Sequence, residues 1–63
     1  MAYYIFAQGR YTFGAWELLE TVERPDLAKE VYRNYRQRLD PSAVEMVMVR
    51  AKSEVEAKKR IRA

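Results

Sequence analysis

Ala43-Val44-Glu45-Met46-Val47-Met48-Val49-Arg50-Ala51 decides the fold class, because it is the clearest strand in the 63-residue chain. β-branched residues and methionines fill it, and both of its alternating faces are largely apolar. A strand of this kind does not expose one face to water, so we expect other elements to pack against both faces. Asp40-Pro41-Ser42 precedes it and predicts a turn.

The segment before this turn predicts a helix from Leu27 to Leu39. Arg24-Pro25-Asp26 marks its beginning, because proline is tolerated in a first turn and an aspartate there interacts well with the helix dipole. On a helical wheel the apolar residues share one arc, and a basic stripe lies opposite. The stripe consists of Lys29, Arg33 and Arg36.

The segment after the strand predicts a last helix from Glu54. Ser53 with Glu56 forms a capping box, and Glu54–Lys58 and Glu56–Arg60 are acid-before-base pairs at i, i+4 spacing. Few apolar residues anchor this helix, so we expect its basic end, residues 58–63, to fray.

The N-terminal residues Ala2–Gln8 are aromatic and β-branched and predict a strand that stops at Gly9. A further helix, the first in chain order, is predicted from Phe13. Several apolar residues of this segment fall within an arc of about 100°, and the glutamates lie outside it. These apolar residues are Ala15, Leu18, Leu19 and Val22.

A hairpin is the alternative for this region. Gly9-Arg10 has the form of a two-residue loop, since glycine at its first position suits a type II′ turn. Tyr3–Gln8 would then pair with Tyr11–Trp16.

The elements together predict a single α+β domain over residues 1–63. The favoured order is β-α-α-β-α with a two-stranded sheet, and the hairpin alternative gives β-β-α-α-β-α. Two strands are too few for an independently stable sheet, and a long apolar edge strand is a template for pairing. We therefore expect a homodimer that joins two sheets.

Composition excludes several functions. The chain has no Cys and no His, so it lacks the usual nucleophile, general base and soft metal ligands. We predict no enzymatic activity, no metal and no cofactor. The Cys-free composition fits a reducing compartment, and no long apolar run suggests a membrane span or a leader, so we expect a cytoplasmic protein that does not bind membranes.

Charge is distributed asymmetrically along the chain. Residues 1–26 carry two arginines against four carboxylates, whereas residues 27–63 carry ten basic side chains against five acidic ones. Nucleic acid is therefore an alternative partner, bound by the helix predicted at Leu27–Leu39 and the C-terminal tail. The predicted basic patch comprises Lys29, Arg33, Arg36, Lys58, Lys59, Arg60 and Arg62.

A candidate anion site lies at Gly9, Arg10 and Thr12. Glycine lets a backbone approach, arginine adds charge, and the N-terminus of the predicted helix offers free N–H groups. Gly9-Arg10-Tyr11-Thr12-Phe13 with Trp16 locally resembles the corner that reductases of the dihydrofolate type place beside a cofactor phosphate. The resemblance is confined to residues 9–16 and implies only an anion-binding corner.

Aromatic residues and methionines give the main functional indication. They are enriched where protein surfaces meet, and methionine adapts to irregular partners. The sequence therefore predicts a small non-enzymatic interaction module, such as an accessory subunit or a viral or mobile-element modulator. Its predicted interface comprises Tyr3, Tyr4, Phe6, Val44, Met46 and Met48.

Overall fold

Three strands and two helices follow one another in the order β-β-α-β-α. The computed structural model describes residues 1–9 and 13–62, the last of these by its backbone. The elements are β1 (Ala2–Gly9), β2 (Glu17–Val22), α1 (Pro25–Arg38), β3 (Val44–Ala51) and α2 (Glu54–Arg62). The strands form one antiparallel sheet in the order β2-β1-β3. The α+β class predicted from the sequence is confirmed, and the predicted element order is not.

The two helices lie on opposite faces of the sheet. Ile5 of β1 packs with Ala28 of α1, whereas its neighbour Phe6 packs with Ala57 of α2. All four residues are completely buried. Alternate residues of a strand point to opposite faces, so a strand between two helices must be apolar throughout. This explains the near-continuous apolar sequence of β1 and the two apolar faces of β3.

The helices are also offset along the sheet. α1 packs mainly over β1 and β2, whereas α2 packs over β3. The α1 face of β3 is therefore only partly covered, and Met46 and Met48 on this face are half-buried.

The helix predicted from Phe13 is wrong, because Glu17–Val22 forms strand β2. A β-bulge explains the error: Ile5 pairs with Glu20 and Phe6 with Leu18, so Leu19 is an extra residue between them. Leu18 packs on the α2 side, whereas Leu19 and Val22 pack on the α1 side. The extra residue breaks the strict alternation of a strand and leaves a spacing that imitates a helix.

The sheet has three strands, so the predicted two-stranded sheet is also wrong. The hairpin alternative paired the first strand with Tyr11–Trp16, whereas the strand that pairs with β1 is Glu17–Val22. Residues 10–12 lie outside the described residues. Only α1 lies between β2 and β3, which differs from both predicted orders.

The capping bonds and ion pairs of α2 largely agree with those predicted from the sequence. The Ser53 hydroxyl accepts from the Glu56 N–H at 3.2 Å, while the Glu56 carboxylate accepts from the Lys52 N–H and not from that of Ser53. Both predicted ion pairs of α2 form, Glu54–Lys58 at 3.3 Å and Glu56–Arg60 at 2.9 Å. α2 continues to Arg62, and the fraying expected from residue 58 stays a prediction.

Gly9 allows β1 and β3 to meet at the end of the sheet. A Cβ on Gly9 would lie 2.4 Å from the carbonyl oxygen of Ala43, which belongs to the backbone and has little freedom to move. Gly9 pairs with Val44 at the first position of β3. Close backbone approach therefore accounts for this glycine.

Candidate functional site

Strand β3 forms an edge of the sheet, and its even-numbered residues direct their backbone groups away from β1. The N–H of Val44 donates to Asp40, the carbonyl of Met46 accepts from Tyr32, and the carbonyl of Arg50 accepts from Arg60. In an antiparallel pair, residues alternate between bonding to the partner strand and facing away from it. Met48 therefore also faces outward.

Two side chains from opposite helices already bond to this edge. The Tyr32 hydroxyl of α1 donates to the Met46 carbonyl at 3.3 Å, and Arg60 of α2 donates to the Arg50 carbonyl. Arg60 is held in place by its ion pair with Glu56. Between them, the outward N–H and carbonyl of Met48 have no partner among the described residues.

A cleft of about 360 Å³ runs beside this edge, between α1 and the α1 face of β3. Its apolar component is Met48, and cationic and polar side chains of α1 form the wall. The lining residues are Lys29, Tyr32, Arg33, Arg36, Gln37 and Met48.

The cations beside the edge have no acidic partner in the part of the chain that the structure describes. The ion pairs of the described residues are Arg24–Asp26 and the two pairs within α2, so no described carboxylate lies within 4.0 Å of the basic groups at the cleft. Arg36 instead contacts Tyr32: its Nη1 lies 3.4 Å from the hydroxyl, and its guanidinium carbon lies 5.9 Å from the ring centroid. The unpaired groups are Lys29, Arg33, Arg36 and Arg50.

A second, larger groove of about 700 Å³ continues from this cleft. It lies between the end of α1 and the beginning of β3, and Arg36 lines both depressions. The Asp40 carboxylate at this end accepts bonds from the Ser42 hydroxyl at 2.7 Å and the Ser42 N–H at 3.0 Å, and these bonds lower the pKa of Asp40. The two depressions therefore adjoin at Arg36, one beside Met46 and the other beside Met48.

The predicted basic patch is divided between two faces of the sheet. Lys29, Arg33 and Arg36 belong to α1 on one face, and the remaining members belong to α2 on the other. Lys58 and Arg60 are neutralised by glutamates one turn earlier, and Lys59 is exposed. The side chain of Arg62 lies outside the described residues.

The predicted interface residues are likewise separated. Val44, Met46 and Met48 lie together on the β3 edge. Tyr3 is half-buried on the α1 face of the central strand. Tyr4 is 8% exposed and Phe6 is 0% exposed, so both belong to the core beside α2 and do not contribute to the surface.

Sequence reasoning did not identify Tyr32, Arg50 and Arg60 as parts of this edge. On the helical wheel Tyr32 falls on the apolar arc, which predicts a packing role, although a half-buried tyrosine usually finds a partner for its hydroxyl. That requirement was the one available indication. Arg60 was assigned to the basic patch and to an ion pair with Glu56, not to the β3 edge.

The candidate anion site loses the element on which it depended. β1 ends at Gly9, and a strand, not a helix, follows at Glu17–Val22. Arg10 and Thr12 lie outside the described residues. Gly9 has a packing reason of its own at Ala43.

None of the helices in residues 1–9 and 13–62 is long and apolar enough to cross a membrane. No protein-family model matches the chain, and no similar curated protein or solved structure was found.

Proposed function

We propose that this chain is a non-enzymatic interaction module that binds an extended segment of another protein along the edge of β3. One observation carries the proposal: the backbone N–H and carbonyl of Met48 face outward from an edge strand and have no partner among the described residues. Natural proteins usually cover or disrupt such edges. A peptide that adds a strand there supplies the missing hydrogen bonds.

The surroundings of Met48 favour this mode of binding. Main-chain hydrogen bonds give affinity in strand addition, and pockets for alternate side chains give selectivity. The cleft beside Met48 offers one such pocket on the α1 face. On either side of Met48, side chains already occupy the outward carbonyls of Met46 and Arg50, which restrains indiscriminate pairing.

The predicted homodimer has less support than a different partner. It was expected because two strands cannot sustain a sheet and because an apolar edge strand is a template for pairing. The first of these reasons no longer holds, since the sheet has three strands. A two-fold axis through Met48 would also place the basic stripes of two α1 helices on either side of the junction. Like charges repel in that arrangement, so we favour a segment of another protein.

A displayed library of random peptides tests the proposal. We expect selected peptides to bind at least about tenfold more weakly to Met48→Pro than to Met48→Ala, because both variants lose the methionine side chain and only proline also removes the outward N–H. Lys59→Ala on the other face is a matched surface control. Selected peptides that bind all three variants equally would contradict binding at this edge.

Nucleic-acid binding is the second candidate function. The observation in its favour is the unpaired stripe of Lys29, Arg33 and Arg36, which has the residue types that contact phosphates. If phosphates dominate, affinity for a duplex or single-stranded oligonucleotide falls steeply as salt is raised. No detectable binding at low salt would eliminate this candidate.

A further inference from the structure

We infer that the segment bound at the β3 edge is acidic, with carboxylates on the side chains that face α1. This inference rests on the proposed function and adds the chemistry of the partner. Its basis is a set of four cations beside the open part of the edge, none of which has an acidic partner among residues 1–9 and 13–62.

The geometry separates the two faces of an added strand. Side chains of neighbouring strands stand in rows, so alternate residues of the segment would lie beside the row of Met46, Met48 and Arg50. On this face α1 presents Lys29 and Arg33 above the cleft. The other residues of the segment would lie beside Val47 and Val49, which belong to the core under α2.

The cations fit carboxylates better than they fit neutral side chains. Lys29 and Arg33 are exposed and hold no described partner, so no existing ion pair must be broken. Arg36 is already oriented by its contacts with Tyr32. An acidic segment would gain several charge pairs at once, and charge complementarity of this kind selects partners and accelerates association.

A second copy of this chain is a poorer occupant. Its acidic strand β2 carries Glu17 and Glu20, but Glu20 already lies 3.4 Å from the Tyr35 hydroxyl as a hydrogen-bond acceptor. Pairing β2 of one copy with β3 of the next leaves a free edge at each end, and such a contact grows into an open fibre. We therefore assign the edge to a different protein.

Synthetic peptides as long as the eight-residue β3 test the inference. One alternates glutamate with valine, and matched peptides replace glutamate by glutamine or by lysine. In fluorescence anisotropy we expect the glutamate peptide to bind about tenfold more tightly than the glutamine peptide, as a few exposed ion pairs would give. The difference should shrink as salt is raised.

Charge reversal provides the decisive comparison. The double variant Lys29→Glu with Arg33→Glu should bind the glutamate peptide about tenfold more weakly and the lysine peptide more tightly. Lys59→Glu on the opposite face should change neither affinity. Circular dichroism verifies that each variant is folded. Equal binding of the glutamate and glutamine peptides, or no reversal, would overturn the inference.

Alternate N-methylation of the glutamine peptide separates this failure from that of the proposed function. Only every second N–H of an added strand faces β3, so one frame of methylation should abolish binding and the other should preserve it. If only one frame of methylation abolishes binding, and the glutamate and glutamine peptides bind equally, strand addition is supported and the acidic character of the segment is refuted. No frame effect refutes strand addition itself, and sedimentation of the protein alone as a fibre would show that the occupant is a second copy.

Discussion

Two proline substitutions at neighbouring positions of β3 should differ widely in their effect on stability. Met48 directs its N–H away from the sheet, whereas Val49 pairs with Tyr4 of β1. Proline is tolerated in an edge strand where its missing N–H would face solvent, and it removes a ladder bond elsewhere. We expect Met48→Pro to fold and Val49→Pro to be largely unfolded.

The magnitudes follow from the burial of the partner. Tyr4 is 8% exposed, so loss of the Val49 N–H leaves a buried carbonyl without its donor, at a cost of about 1–3 kcal/mol. The misfit of the proline ring in a paired strand raises the total to about 4 kcal/mol or more. A domain of this size has a net stability of about 3–5 kcal/mol.

Urea unfolding followed by circular dichroism measures both effects. Met48→Ala and Val49→Ala serve as references, because they remove the side chain and keep the N–H. We expect the free energy of unfolding of Met48→Pro to lie within about 1 kcal/mol of that of Met48→Ala, because proline adds only backbone strain at this position. If Met48→Pro is as destabilising as Val49→Pro, the assignment of outward-facing residues on β3 is wrong, and so is the binding edge.

Three further substitutions test other parts of the fold. Gly9→Ala places a Cβ 2.4 Å from a backbone carbonyl, and we expect a loss of about 1–3 kcal/mol in urea unfolding. Phe6→Ala empties a fully buried site and should cost about 3–5 kcal/mol, while the same change at Phe13, 98% exposed, should stay within about 0.5 kcal/mol. Bonds from Ser42 lower the pKa of Asp40, so the stability that they contribute is present above the ordinary pKa of 3.8 and is lost as pH falls through the lower folded value. The destabilisation caused by Asp40→Asn, measured by thermal unfolding, should therefore diminish in acid. An effect of Asp40→Asn that grows towards low pH would contradict this assignment.

Elements whose own residue pattern reflects their burial in the fold could be predicted from the sequence. α1 and β3 were located to within a few residues, because a helical stripe and an apolar strand bounded by turn residues are direct consequences of burial. β2 was missed because the bulge at Leu19 places two neighbouring residues on one face. The bulge depends on pairing with β1, which no pattern within the segment itself reveals.

The candidate site was predictable only in part for a similar reason. Met46 and Met48 stand out in the sequence as adaptable apolar residues on a strand that is predicted to lie at a sheet edge. Tyr32 and Arg60 reach the same edge from opposite helices, and their positions there depend on how the helices pack. The offset that leaves Met48 open is likewise a property of the assembled sheet.

The central position of β1 has a consequence for the order in which the chain folds during synthesis. β1 and β2 are close in sequence and can pair early, but β3 pairs Ala51 with Ala2 and so closes a loop over most of the chain. Until β3 has left the ribosome, the most deeply buried of the described strands retains an open edge. The same segment that later offers a binding edge must first shield the nascent chain from aggregation, so mutations in β3 that weaken its pairing should reduce yield as well as recognition.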